Sequence, residues 1–436
     1  MIEATLRKAW PRWGIATLAA SALILAGCSS GSGTTASSAS ASNATSATPG
    51  SVDDGTKLTM WTRAATQGQS QAFVDLYNSE HANQIQLTII PTDDYQTKIG
   101  AAAGSGSLPD LFASDVVYLP NYTSEGLFLD ITDRINALSF VSDLAQSHIV
   151  AGTYKGREYA VPHTMDLSVL FYNKDLYKQA GLDPEAPPVT LEEFDTQARA
   201  ISALGGDIHG TYFGGNCAGC LAFTWWPSIW AAGGTVMNAD GTAATFDTDA
   251  AKTIFSIYRG LATDGIAAPG SKDETGATWV APFPSGNIGI MPMPSTLLGD
   301  MPASTGVAAI PGPGGGGSTF VGGDALGISA TSKNADAAWN FIAWSLGDEA
   351  QVEVLAKQGN VVARTDLASN KYSDVDPRVV EINKIAGTGQ TPFAMNYGAA
   401  FNDPNGPWLA LVRDQVYGDP SKLAEENGAI SAVLGG

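Results

Sequence analysis

KLTMW (57–61), QSQAFVDLYNSEH (69–81), QIQLTII (84–90), DDYQTKIGAAAGSG (93–106) and LPDLFASD (108–115) follow one another without a gap long enough for another element. KLTMW and QIQLTII are short runs with strand character, whereas Phe73, Leu76 and Tyr77 recur at the spacing of one helical face. The order strand, helix, strand, helix, strand predicts βαβ units and a largely parallel sheet, hence an α/β fold. Ligands of such sheets lie beyond the carboxyl ends of the strands, and Trp61-Thr62-Arg63 and Asp115 stand at those ends.

The rest of the chain adds compatible elements. A turn at Lys155-Gly156 precedes Pro162, an apolar strand is predicted over 167–172, and a helix follows it. Thr190 with Glu193 three residues on forms a capping box, which gives Glu192 and Glu193 structural rather than catalytic work. A hairpin turn is predicted at 239–241, strands at 287–293 and through TFVGGDALGIS, and helices over 338–346 and 407–417. The glycine run at 314–317 lacks the Gly-Lys-Ser/Thr ending of a phosphate loop and reads as a connector.

A length of 436 residues fits two domains or lobes. A net charge of −20 with only 23 Lys and Arg excludes a phosphate-neutralising nucleic-acid surface. At the N-terminus, Arg7, Lys8 and Arg12 precede an apolar run over 14–27, shorter than the roughly 20 residues that a bilayer-spanning helix needs. Residues 1–27 read as an export signal ending Leu25-Ala26-Gly27-Cys28, which resembles a bacterial lipobox; that resemblance implies lipidation of Cys28. Residues 28–55, rich in Ser, Gly, Thr and Ala, then read as a flexible linker. A body tethered at the outer face of the cell membrane is the expected location.

Cys217 and Cys220 form a C-x-x-C pair, open to a redox site, half a zinc site or a local disulfide. No second Cys pair exists and the four His are dispersed, so no metal is expected and the disulfide is favoured outside the cell. Within residues 57–436 no G-x-S-x-G occurs, and H-E-x-x-H occurs nowhere, which disfavours an enzyme, and no cofactor is expected. A secreted carbohydrate-active enzyme is the rival class, since two carboxylates converging in space leave no mark in sequence spacing.

LPDLFASDVVYLPNYTSEGLFLDIT (108–132), YKGREYAVPHTMDLSVLFYNKDLYKQAGLD (154–183), FTWWPSIWAAGG (223–234), FPSGNIGIMPM (283–293) and GGDALGISATSKNADAAWNFIAWSL (322–346) together resemble the extracellular solute-binding proteins of ABC importers that handle sugars. The resemblance implies a two-lobed periplasmic-binding-protein-like fold, with 56–164 plus 288–331 as one lobe and 165–287 plus 332–436 as the other. It also implies hinge crossings near 162–166, 285–290 and 329–334, and a monomer that closes on a carbohydrate and presents it to the permease. Carried over to matching positions, it implies ligand contacts from Asp115, Asp166, Phe223, Gly323, Asp324, Arg364 and Trp408; Arg63, at the end of the first strand, and Trp225, at the predicted helix start, join them from their own positions. Maltodextrin binders carry a basic residue after the first acid, where Val116 stands here, and a Trp where Ser295 lies nearby. A glycerophosphodiester carrier is the second reading within this class.

The chemistry agrees: a sugar offers apolar C–H faces to aromatic rings and hydroxyls to Asp or Arg. Each candidate also has a structural reading, Asp115 as a helix cap, Asp166 as a hinge hydrogen-bonder, Arg364 as an ion pair and Trp408 as core. Within FTWWPSIWAAGG, the Trp226, Ile229, Trp230, Gly233 stripe reads as a packed helix face. Pro227 falls in the first turn of a helix starting near Trp225, and Phe223 becomes a ring aimed from the loop braced by Cys217 and Cys220.

Overall fold

The computed structural model describes residues 50–436; the expected export signal, Cys28 and the linker up to residue 49 lie outside them. The linker was expected to run to residue 55, but its last residues are held. The buried Asn83 side chain accepts N–H bonds from Asp54, Gly55 and Thr56 at 3.0–3.2 Å and donates to the Val52 carbonyl at 2.6 Å.

In chain order the principal elements begin with β1 (Lys57–Arg63), α1 (Gln67–Glu80), β2 (Gln84–Ile90), α2 (Thr92–Ser105), β3 (Leu111–Asp115) and β4 (Val161–Asn173). Next come α3 (Leu191–Ser202), α4 (Ala218–Ala231), α5 (Asp249–Thr263), β5 (Ile290–Pro294) and β6 (Thr305–Ala308). The last are β7 (Val321–Ile328), α6 (Ala335–Ser345), α7 (Pro377–Ala386) and α8 (Pro407–Tyr417). At the start of α3 the Thr190 hydroxyl accepts from the Glu193 N–H at 3.0 Å and Glu193 reaches back to the Val189 N–H at 2.9 Å.

β1 lies between β2 and β3, parallel to both, as the opening stretch predicts. The sheet as a whole is mixed, in the order β2-β1-β3-β7-β4-β5, with β6 also paired to β4. β7 runs antiparallel to β3 and to β4, and β4 is antiparallel to β5 and β6. The expectation of a largely parallel sheet therefore holds only for its first three strands. β7 returns to the sheet from far down the chain and enters in the opposite direction.

Alternation along β4 sends its side chains into two cores. Val169 and Phe171 pack with Met291, Met293 and Ile382, whereas Leu170 and Tyr172 join the core of α3, α4 and α5. A further core gathers Leu58, Met60, Phe73 and Tyr77 with Trp339, Phe341 and Ile342 of α6. The lobe grouping expected from sequence changes accordingly. β5 and β6, grouped there with the first lobe, pair with the far half of β4, and α6, grouped there with the second, packs against β1 and α1.

Helix α4 is apolar all round and buried. It begins at Ala218 rather than near Trp225, with Cys217 as its N-cap and Cys217 disulfide-bonded to Cys220. Phe223 thus sits inside the helix. Pro227, also interior, has no N–H to give the Phe223 carbonyl.

Candidate functional site

Sheet order brings distant residues to one place. Arg63 closes β1 and Asp115 closes β3, while the antiparallel register of β7 sets Asp324 opposite both Asp115 and Thr164. Arg63 binds the two carboxylates at once, Nη1 to Asp115 Oδ2 at 2.8 Å and Nε to Asp324 Oδ1 at 2.6 Å. Asp324 is 0% exposed, and its second oxygen accepts from the Thr66 hydroxyl at 2.5 Å. The backbone here demands glycine: Gly323 has φ +111°, and a Cβ on it would lie 2.0 Å from the Thr164 carbonyl oxygen. A Cβ on Gly322 would stand 3.2 Å from both the Asp166 carbonyl and the Phe223 ring, so the ring lies over this bend of β7.

Asp166, on β4, is the loosely held acid of the group. Its Oδ1 accepts from Ser295 Oγ and Thr296 N at 3.5 Å and from Thr296 Oγ1 at 3.3 Å, all long contacts. Burial pushes its carboxyl up to about 6, against the opposing pull of Thr296 and Arg63. Burial also raises Asp115, with Arg63 opposing and Asp324 adding to the rise. For Arg63, burial favours proton loss, but Asp115 and Asp324 outweigh it and hold the guanidinium charged. Three carboxylates thus share one guanidinium, and Asp166 has the most unmet acceptor capacity.

Aromatic and amide groups surround the acids. Phe223 is half-buried against Phe320, centroids 5.3 Å apart, and Trp61 lies beneath the Lys98 ammonium at 5.0 Å. Tyr118 ends the turn that Asp115 caps through a 3.4 Å bond from the Val117 N–H, and its hydroxyl accepts from Asn402 Nδ2 at 2.8 Å. Asp115 therefore caps a helical turn, as its structural reading expects, and binds Arg63 as well. Thr66, Thr296, Tyr118 and Asn402 are absent from the sequence-based set. Thr296 adjoins Ser295 and Thr66 stands four residues past Thr62, but neither carries a pattern that marks it before β7 and β4 are placed.

Arg63, Asp115, Asp166, Phe223, Gly323 and Asp324 are brought together; three other expected residues are not. Trp225 is 1% exposed and stacks on Tyr258 with centroids 3.9 Å apart, so it is core. Trp408 is 0% exposed, stacks on Phe246 at 4.7 Å and donates its indole N–H to the Ala218 carbonyl at 3.0 Å. Arg364 is spent locally: it binds Asp348 at 2.6 Å and Asp366 at 2.5 Å and covers the Phe140 ring at 4.0 Å. Among the described residues, no group of three His, Cys, Asp or Glu is placed to hold a metal ion, and no helix is long and apolar enough to cross a membrane.

Residues 63–352 match the family model described as bacterial extracellular solute-binding protein. A putative binding protein of Brucella abortus is 24% identical over 294 residues, 66% of this chain and 70% of the relative. The diacetylchitobiose binding protein DasA of Streptomyces coelicolor is 25% identical over 340 residues, 74% of this chain and 76% of the relative. In three dimensions the fold matches the cyclic alpha-maltosyl-1,6-maltose binding protein of Arthrobacter globiformis, with a TM-score of 0.73, 24% identity, and coverage of 88% of this chain and 100% of that one. The architecture is accordingly that of the two-lobed solute-binding proteins, and the family is one of binding proteins rather than enzymes.

Proposed function

The chain belongs to the bacterial extracellular solute-binding protein family, and from that premise we propose that it is the carbohydrate-capturing component of an ABC-type importer. The observation that carries this reading is the convergence of Arg63, Asp115, Asp324 and Asp166 beside the half-buried Phe223 ring. Carboxylates and a guanidinium suit the hydroxyl rim of a sugar, and an aromatic ring suits its C–H face. The binding of sugars by similar proteins, diacetylchitobiose and a cyclic maltosyl-maltose among them, supports the ligand class.

In this reading, Cys28 carries a lipid that tethers the protein at the extracytoplasmic face, and the monomer meets the permease after the lobes hinge shut on the ligand. The site comprises Arg63, Asp115, Asp166, Phe223, Gly323 and Asp324, joined by Thr296. Trp225, Trp408 and Arg364 form no part of it. A phosphodiester is disfavoured because the site sets three acids against a single guanidinium that two of them already engage.

The test is a thermal-shift and calorimetric panel of maltose, maltotriose, cellobiose, diacetylchitobiose, glycerophosphocholine and glycerol 3-phosphate. A carbohydrate is expected to raise the melting temperature and bind with a micromolar Kd, which corresponds to about −8 kcal/mol, and to be recovered unchanged. Binding of the phosphorylated compounds alone, or breakdown of the sugar, would overturn the reading.

A further inference from the structure

Behind the Arg63–Asp324 pair runs a line of buried polar groups that ligand contact leaves unexplained. The Thr66 hydroxyl lies 2.5 Å from Asp324 Oδ2 and 3.2 Å from the Thr62 hydroxyl. Thr62 lies 3.0 Å from the Ser70 hydroxyl, and Ser70 lies 3.0 Å from His163 Nε2. Thr62, Ser70 and Asp324 are 0% exposed, His163 1% and Thr66 4%. The line crosses from β1 through the start of α1 to the first half of β4.

Its proton directions are fixed from one end. An ionised carboxylate only accepts and each hydroxyl has one proton to give. Asp324 is held in that state by Arg63 at 2.6 Å, so Thr66 donates to Asp324. With that proton committed, Thr62 must donate to Thr66, Ser70 to Thr62, and His163 Nε2–H to Ser70. His163 is then the Nε2–H tautomer, with Nδ1 a bare acceptor. Independently of this chain of donors, His163 Nδ1 is a buried atom with no hydrogen-bond partner.

We propose that Thr66, Thr62, Ser70 and His163 form a one-way hydrogen-bond chain that positions Asp324, and through it Arg63, in the binding site, with His163 as its neutral Nε2–H terminus. The positional role rests on the proposed sugar site; the direction of the chain does not. On α1, the Phe73 ring packs on the imidazole with centroids 5.3 Å apart, and Asp324 is the charged group acting on it. Burial lowers the ring to about 4, which agrees with a neutral terminus at neutral pH. Thr66 is a positioning residue in this scheme: it orients a carboxylate that orients the guanidinium.

The chain is read on unliganded protein labelled with nitrogen-15 at histidine and arginine; only four histidines must be told apart, and His163→Gln identifies the relevant signal. At pH 7 the expected result is Nε2–H at His163. Thr66→Val should shift both the His163 ring signals and the Arg63 Nε–H signal, and weaken binding of maltotriose or diacetylchitobiose about tenfold. Thr66→Ser, which keeps the hydroxyl, should restore all three. Ser70→Ala, which cuts the middle of the chain, replaces Thr66→Val should that variant fold poorly, and should move the same two signals. An Nδ1–H tautomer, a charged ring, or His163 and Arg63 signals indifferent to these cuts would overturn the chain. If no sugar of the panel binds the native protein, the sugar reading fails, while tautomer and coupling still decide the chain by themselves.

Discussion

Arg63 and Arg364 each bind two aspartates at 2.5–2.8 Å, yet the two arginines have different work. Arg364 takes its partners from nearby in the chain, Asp348 and Asp366, whose side chains are 76% and 36% exposed. Arg63 takes Asp115 from β3 and Asp324 from β7, with side chains 22% and 0% exposed, and a third acid close by. One cluster fastens a local fold to the Phe140 ring with its acids in water. The other ties the ends of β1 and β3 to the middle of β7 and leaves acceptor capacity on Asp166. A pair of short salt bridges therefore does not by itself mark a ligand site; what sets the Arg63 cluster apart is its place inside the sheet and an acid in excess.

The largest expected effect tests that contrast directly. Arg63→Ala strands the fully buried Asp324 and should cost about 3–5 kcal/mol of stability, measured by urea unfolding. Arg364→Ala leaves its acids free to hydrate and should cost only about 1–2 kcal/mol, with carbohydrate affinity unchanged within about twofold. Equal losses of stability, or lost affinity in Arg364→Ala, would erase the distinction.

Asp166 supplies the next test through pH. Its folded carboxyl titrates near 6, above the ordinary value of 3.8. The folded state therefore binds more proton than the unfolded one between those values, and stability falls as pH rises from about 4 to about 6, then levels. Asp166→Asn should stabilise the protein by about 1–2 kcal/mol at pH 7.5, with little effect at pH 4, while weakening sugar binding. A stability difference that does not change across this window would place Asp166 outside the buried cluster. The smallest effect concerns the ring: Phe223→Ala should weaken binding about tenfold, roughly 1.4 kcal/mol. An unchanged Kd by calorimetry would remove Phe223 from the site.

Much of the fold was legible because β1 to β3 are local. Their alternation and the helices between them lie within residues 57–115, and the ends of parallel strands could be named before the sheet was assembled. β7 was the obstacle. Its strand character was visible in GGDALGIS, but nothing in a period-2 run states direction or neighbours, so the antiparallel insertion and the transfer of α6 to the β1 core were hidden. The site divided along the same line. Arg63 and Asp115 are end-of-strand residues, legible as such, whereas Asp324 lies in the middle of β7 and comes only from the resemblance around Gly322-Gly323. Trp225 and Trp408 have the right ring chemistry, yet α4 is buried and needs Trp225 inside, and Trp408 of α8 packs into the same core. The hydroxyls of Thr62, Thr66 and Ser70 recur every fourth residue, a spacing that acquires meaning only when His163 and Asp324 close its ends.

The seat of β7 between β3 and β4 also has a consequence in time. Arg63 waits 261 residues for Asp324, and the strand that carries Asp324 is central to the sheet. At synthesis rates of about 5–20 residues per second, that delay is roughly 13–50 s. Until then β3 and the first half of β4 present open edges to whatever is near. The same late strand that assembles the carboxylate cluster makes locking of the sheet a late event in its folding.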